Sequence, residues 1–68
     1  MMRDMVKNEV FDIRKEMRIT QEELAKGIGV TRQTIIAIEK GNYTPSVILA
    51  LKIARYFKRK VEELFKLE

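Results

Sequence analysis

The sequence TQEELAKGIGVTRQTIIAIEKG, residues 20–41, carries the start and stop signals of two consecutive helices. Thr20 is followed three positions later by Glu23, which is the spacing of a capping box at the beginning of a helix. Gly29 can adopt the positive φ angle that ends a helix abruptly, and Thr31 is a residue type that caps the next helix. The stretch therefore predicts two short amphipathic helices joined by a tight turn.

The second of these helices has a polar first turn. Arg32, Gln33 and Thr34 occupy that turn, whereas Ile35 and Ile38 supply the inward face. A single helix has the width to enter the major groove of DNA, where each base pair presents its own pattern of donors, acceptors and methyl groups. The two helices together are therefore typical of a helix-turn-helix DNA-binding unit.

Helical periodicity continues on both sides of this unit. Asn8 can cap a first helix in which apolar residues recur every three or four positions, namely Val10, Ile13 and Met17. The segment KVEELFKLE, residues 60–68, predicts a short fifth helix that closes the core. We therefore predict an all-α fold of five helices with no β-strand. It forms one domain over residues 8–68, preceded by an N-terminal tail of residues 1–7.

The fourth helix, SVILALKIARYF at residues 46–57, carries more apolar surface than one buried stripe requires. Ser46, or Thr44 followed by Pro45, can cap it. The stripe that we expect to face the core contains Val47, Ala50, Ile53, Ala54 and Phe57. The apolar residues that extend beyond this stripe are Ile48, Leu49, Leu51 and Tyr56. Such a surplus is expected if the helix is central to the core, or if it also contacts another molecule.

The charge distribution favours an anionic partner. The 68-residue chain has a formal net charge of +4, and no Asp or Glu occurs from Gly41 to Lys60. The basic residues in that stretch are Lys52, Arg55, Lys58, Arg59 and Lys60. Cations near the end of a helix are favoured by the helix dipole, and they can also contact phosphate. The sequence leaves both interpretations open.

Composition excludes several classes of function. The chain has neither cysteine nor histidine, so disulfides and the usual zinc sites are excluded, and we expect no metal and no cofactor. The N-terminus lacks the apolar region of a secretory signal, and no apolar run approaches the roughly 18 residues of a membrane helix, so we expect a cytoplasmic protein that binds no membrane. An enzyme is not expected, because the glutamates lie on exposed helix faces and do not converge, namely Glu22, Glu23, Glu62 and Glu63.

Residues Asn8 to Phe65 resemble the helix-turn-helix domain of the Cro/repressor type, the XRE family of small transcriptional regulators. The resemblance depends on TQEELA at the start of the second helix, GV at the turn, RQTI on the third helix and IEKG at its end, followed by NYTPS and the apolar fourth helix. It implies a lambda-repressor-like fold of five helices, in which the third helix recognises double-stranded DNA in the major groove.

The resemblance also implies roles for individual residues. The residues expected to contact bases are Arg32, Gln33, Thr34 and Ile36, and those expected to contact phosphate are Gln21, Thr31, Lys40, Asn42 and Tyr43. The chemistry of these residues agrees, because arginine can pair with guanine O6 and N7, glutamine with adenine N6 and N7, and an apolar side chain with the thymine methyl. Arg14 and Glu39 are expected to form a structural ion pair that holds the third helix in place.

A homodimer is expected, because one module of this size reads only a few base pairs. Twofold symmetry would place two recognition helices about 34 Å apart on a palindromic operator, where the dimer would repress transcription by occupancy. The apolar surplus predicts an interface formed by Leu49, Tyr56, Leu64, Phe65 and Leu67, with Phe11 as a further candidate. The alternative function is a protein-interaction module, such as an antitoxin or a coactivator-like adaptor, with an unidentified protein partner.

Overall fold

Five helices and two short strands succeed each other in residues 5–68, the part of the chain that the computed structural model describes. In chain order they are β1 (Val6–Asn8), α1 (Val10–Glu16), α2 (Gln21–Ile28), α3 (Arg32–Glu39), α4 (Val47–Phe57), α5 (Val61–Leu64) and β2 (Phe65–Leu67). The predicted five-helix fold, with its helix-turn-helix formed by the second and third helices, is confirmed.

The prediction that the chain contains no strand was wrong. β1 and β2 form an antiparallel two-stranded sheet in which Val6 lies opposite Leu67 and Asn8 opposite Phe65. Val6 and Lys7, which we assigned to the tail, therefore belong to a strand, while residues 1–4 of that tail lie outside the described residues. The fifth helix ends at Leu64, because Phe65 adopts an extended conformation with φ −127° and ψ 128°.

Side-chain caps define where the helices begin. The Thr20 hydroxyl accepts a hydrogen bond from the Glu23 backbone N–H at 3.0 Å, and the Glu23 carboxylate accepts one from the Thr20 backbone N–H at 2.8 Å. Both hydrogen bonds with Thr20 lower the pKa of Glu23, and the one from the Thr20 backbone has the larger effect. Ser46, rather than Thr44, caps α4, because its hydroxyl accepts from the Leu49 N–H at 3.2 Å.

Asn8 connects the sheet to two helices. Its side-chain oxygen accepts a hydrogen bond from the Val10 N–H at 3.1 Å, so it caps the start of α1 from two residues away. Its side-chain nitrogen donates to the backbone oxygen of Ile38 at 2.9 Å. The end of β1 is thereby attached to the last turn of α3.

The core is formed by twelve buried apolar residues that come from all five helices. They are Val10, Ile13, Leu24, Ala25, Ile28, Ile35, Ile38, Leu49, Ile53, Ala54, Phe57 and Leu64. Two expected core residues, Met17 and Val47, are exposed instead. Met17 follows the last residue of α1, and Val47 points away because the inward face of α4 follows Leu49, Ile53 and Phe57 at four-residue spacing.

Gly27 allows α2 and α4 to approach each other closely. From sequence alone this glycine is only a cost to the helix of up to about 1 kcal/mol relative to alanine. In the structure, a Cβ atom at position 27 would lie 2.2 Å from Cε1 of Tyr56. The absence of a side chain is therefore what lets the Tyr56 ring pack directly on the backbone of α2.

We expect Gly27→Ala to lower the free energy of unfolding by about 1–3 kcal/mol, because the added methyl group overpacks this contact. Urea denaturation followed by circular dichroism measures the effect. In a Tyr56→Ala background the ring that the added methyl group would contact is absent. Gly27→Ala should then be neutral or raise the free energy of unfolding by up to about 1 kcal/mol. Equal effects in both backgrounds would contradict this explanation of Gly27.

Two basic residues end helices in the left-handed conformation that normally favours glycine. Arg18, after α1, has φ 58°, and Lys58, after α4, has φ 57°. A side chain in this conformation costs about 1–2 kcal/mol. Around Lys58 the cost is offset by hydrogen bonds to the last carbonyls of α4, from Lys58 N–H to Arg55 at 3.1 Å and from Arg59 N–H to Ala54 at 3.0 Å.

Candidate nucleic-acid interface

A buried ion pair fixes α3 against α1. Arg14 Nε lies 2.6 Å from Glu39 Oε2, and Arg14 Nη2 lies 3.1 Å from Glu39 Oε1. The two side chains are only 8% and 5% exposed. The third nitrogen, Nη1, donates to the Ile19 backbone oxygen at 2.9 Å, so each of the three guanidinium nitrogens donates a hydrogen bond. This arrangement sets the position of α3 without occupying its outer surface.

The polar first turn of α3 faces solvent. We call its four residues, Thr31, Arg32, Gln33 and Thr34, the leading edge. The first three are exposed and Thr34 is half-buried. Thr31 caps the helix by accepting from the Thr34 N–H at 3.3 Å, and the two hydroxyls lie 3.2 Å apart. The leading edge is therefore accessible, and its residues Arg32, Gln33 and Thr34 are held in helical geometry by the Thr31 cap.

Gln21 uses its side chain within the protein. This half-buried residue donates from Nε2 to Glu39 Oε1 at 3.0 Å and accepts from Arg32 Nε on Oε1 at 3.3 Å. Its backbone N–H belongs to the first turn of α2, where the first four amides of a helix have no partner within the helix. A phosphate contact by Gln21 would therefore come from the backbone N–H more readily than from the side-chain nitrogen, which already donates to Glu39.

The remaining predicted contacts flank the other end of α3. Lys40, Asn42 and Tyr43 are exposed in the turn that follows the helix. The Asn42 N–H donates to the Ala37 backbone oxygen at 2.9 Å, which holds the turn against the last helical residues. Ile36, which we expected to contact bases, is half-buried, so only part of its side chain is available to a thymine methyl.

The structure excludes some of the residues that we predicted to form an apolar interface between two copies of the chain. Leu49 and Leu64 cannot form a surface between copies, because both are buried in the core of one chain. Tyr56 is half-buried against Gly27, and Phe65 packs partly on the core. Phe11 is exposed with the Arg14 guanidinium 5.4 Å from its ring centre. Leu67 is the most exposed of the predicted interface residues, with 74% of its surface exposed.

The sequence interpretation identified Ile48 and Leu51 as apolar surplus but left both out of the predicted interface, and it assigned Val47 to the core. Val47, Ile48 and Leu51 are 75%, 70% and 54% exposed, and we call these three residues the α4 patch. The signal that could have placed these three residues on one exposed surface is the four-residue spacing of Leu49, Ile53 and Phe57, because helical periodicity puts the α4 patch on the opposite side of α4 from that stripe. Among residues 5–68, no helix is both long and apolar enough to cross a membrane.

The family assignment follows from comparison with known proteins. The family described as Helix-turn-helix, HTH_3, matches residues 10–64, which run from the first residue of α1 to the last residue of α5. The chain belongs to this helix-turn-helix family. The resemblance to XRE-type regulators predicted from residues 20–41 is thereby confirmed.

Two proteins of similar sequence and one solved structure of similar fold support the assignment of this helix-turn-helix protein. It is 51% identical over 63 residues to YgzD of Bacillus subtilis, described as an uncharacterized HTH-type transcriptional regulator, covering 93% of this chain and 96% of that one. It is 37% identical over 60 residues to the cryptic phage CTXphi transcriptional repressor RstR of Vibrio cholerae, covering 88% and 54% of the two chains. The fold matches the restriction-modification controller protein C.AhdI of Aeromonas hydrophila with a TM-score of 0.76 and 25% identity, over 81% and 83% of the chains.

The general function follows from the family. Both relatives named above are described as transcriptional regulators, one of them as a repressor. The chain is a DNA-binding transcriptional regulator of the helix-turn-helix type.

Proposed function

We propose that the chain is a repressor that binds a palindromic operator as a homodimer, with α3 of each copy in the major groove. The observation that carries this proposal is the exposed leading edge of α3, supported from behind by the buried Arg14–Glu39 pair. Specific recognition needs side chains that are accessible but held in one geometry, because each flexible contact loses conformational entropy on binding. Repression is supported by the name of RstR, which is a transcriptional repressor.

Contacts to bases and to phosphate are proposed for different parts of this surface. Arg32 and Gln33 lie on the exposed first turn of α3, where side chains can reach base edges. Thr34 and the accessible part of Ile36 lie beside them. The residues proposed to contact phosphate surround this row, namely Gln21 through its backbone N–H, together with Thr31, Lys40, Asn42 and Tyr43. Phosphate contacts position the protein, and the base contacts supply sequence preference.

The homodimer is supported by the sheet. Because side chains alternate along a strand, Val6, Asn8, Phe65 and Leu67 lie on one face, and Phe65 turns that face towards the core. Val6 and Leu67 continue the same face but are exposed. Exposed apolar side chains that continue a buried face are typical of a surface that binds another protein. The free edge of a strand can also pair with a strand of another chain. We therefore place the interface at Phe65, Leu67 and Val6.

Sedimentation equilibrium tests this interface. The protein should sediment at twice its chain mass of 8.0 kDa at micromolar concentration, and Leu67→Asp should shift it to the monomer. Ile48→Asp is the matched control, since it adds the same charge to the α4 patch and should leave the dimer intact. A monomeric wild-type protein, or a dimer lost only with Ile48→Asp, would contradict the proposed interface.

Selection of bound fragments from random duplex DNA tests the operator. A twofold dimer should enrich a palindrome whose half-sites are separated by about one helical turn, 10–10.5 base pairs from centre to centre. Enrichment of a single unrepeated site would contradict the palindrome, and the absence of any enrichment would contradict sequence-specific binding.

The α4 patch favours a second function as a protein-interaction module. Val47, Ile48 and Leu51 form an exposed apolar surface in a stretch that contains no Asp or Glu from Gly41 to Lys60. An antitoxin or adaptor would use such a surface to hold another protein. In that case one partner should co-purify in stoichiometric amount with the wild-type chain and be lost with Ile48→Asp.

A further inference from the structure

Four polar side chains form a continuous chain of hydrogen bonds from the protein interior to the leading edge. The chain begins at Arg14 of α1, which holds both carboxylate oxygens of Glu39 at the end of α3. Glu39 Oε1 then accepts from Gln21 Nε2 at 3.0 Å, and Gln21 Oε1 accepts from Arg32 Nε at 3.3 Å. The exposed Arg32 is thus connected to a buried ion pair through a single glutamine.

The carboxylate of Glu39 determines which way the Gln21 amide points. A carboxylate only accepts hydrogen bonds, and an amide donates through nitrogen and accepts through oxygen. The amide nitrogen must therefore face Glu39, and the oxygen must face Arg32. The reversed amide would place an oxygen against the carboxylate and a nitrogen against the guanidinium, so both hydrogen bonds would be lost.

This orientation selects how Arg32 can bind. Its Nε donates to Gln21, which leaves the two terminal nitrogens, Nη1 and Nη2, for another partner. Arg32 is exposed and makes no ion pair with another residue of the range 5–68. Two parallel N–H donors match the O6 and N7 acceptors of guanine in the major groove, and no other base presents two acceptors side by side there.

We propose that Gln21 is a positioning residue that presents the terminal nitrogens of Arg32 to guanine, so that each half-site contains a guanine at the base pair that Arg32 reads. This inference rests on the proposed function and adds the base that is recognised. It gives the Gln21 side chain a role other than phosphate contact, which is left to the backbone N–H. A positioning side chain affects the preference between bases, whereas loss of a phosphate contact weakens binding to all sequences equally.

The experiment compares wild-type protein with Gln21→Ala on duplexes that carry each of the four base pairs at every position of the selected half-site. At one position the wild-type protein should prefer guanine by roughly 5- to 150-fold, which corresponds to one bidentate contact. Gln21→Ala should lower this preference at least about threefold, while the affinity for a random-sequence duplex and its salt dependence change little. Gln33→Ala removes the same kind of side chain next to Arg32 and should alter the preference at a different base pair.

A double substitution keeps the test independent of any loss of stability. In an Arg32→Lys background the fork of the guanidinium is gone, so Gln21→Ala should cause no further change in base preference. Thermal unfolding monitors the fold of each variant. A uniform loss of affinity for all duplexes, with the guanine preference unchanged, would make the Gln21 side chain a phosphate contact and overturn the proposal.

Two further outcomes would also overturn it. One is an unchanged guanine preference in Gln21→Ala. The other is a wild-type protein that binds its selected site without any guanine preference, which would leave DNA binding itself intact. A wild-type protein that binds no duplex even at low ionic strength would instead contradict the proposed function.

Discussion

Glu39→Ala should lower the free energy of unfolding by about 3–5 kcal/mol, because it leaves the Arg14 guanidinium buried without its counter-charge. The two side chains are 8% and 5% exposed, so water cannot replace the lost carboxylate. The same substitution removes the acceptor of Gln21 Nε2. A domain of this size rarely has more than about 3–5 kcal/mol of stability in total, so the variant should be largely unfolded at room temperature.

Urea denaturation followed by circular dichroism measures this loss, and an exposed ion pair supplies the control. Arg59 Nη2 lies 3.1 Å from Glu16 Oε1, with side chains 38% and 68% exposed. Glu16→Ala removes a carboxylate in the same way but should cost at most about 1 kcal/mol. Replacing both Arg14 and Glu39 by methionine should restore part of the stability, since no buried charge is then left unpaired. Similar losses for Glu39→Ala and Glu16→Ala would contradict a structural role for the buried pair.

The double substitution Arg32→Ala with Gln33→Ala should weaken sequence-specific binding strongly while sparing non-specific affinity and the fold. Each base contact contributes about 1–3 kcal/mol of discrimination, so affinity for the selected operator should fall towards that for random DNA. Both side chains are exposed, and their removal creates no cavity in the core. Binding to the selected operator and to a random-sequence duplex, measured by fluorescence anisotropy at the same salt concentration, gives the two affinities.

Lys40→Ala is the control for a phosphate contact. Losing such a contact should weaken binding to both duplexes and lower the salt slope by about one. If the Arg32 and Gln33 double variant behaved like Lys40→Ala, both residues would have to be reassigned to the phosphate backbone. The leading edge would then position the protein without reading sequence.

The sequence was most informative where an interaction spans three or four residues. The capping box of Thr20 and Glu23 and the cap at Thr31 each depend on side chains next to the backbone they satisfy. Gly29 likewise adopts a positive φ of 78° at the end of α2. These local signals fixed the two helices of the DNA-binding unit, and the family match extends that assignment to residues 10–64.

The features that the sequence did not reveal depend on contacts between distant residues. β1 and β2 pair across nearly the whole chain, so no local periodicity reports them. Gly27 made sense only once Tyr56 of α4 was placed against it. Whether an apolar residue of α4 is buried depends on the rotation of the helix, so Leu49 was assigned to an interface although it belongs to the core.

The most direct test of α3 as the DNA-reading helix is a titration of isotope-labelled protein with its selected duplex, followed by amide chemical shifts at low ionic strength. We expect the largest changes at residues 20–22, 31–37 and 40–43, with small changes on the outer face of α4. Changes concentrated at the α4 patch, or no changes at any ratio of DNA to protein, would contradict insertion of α3 into the major groove.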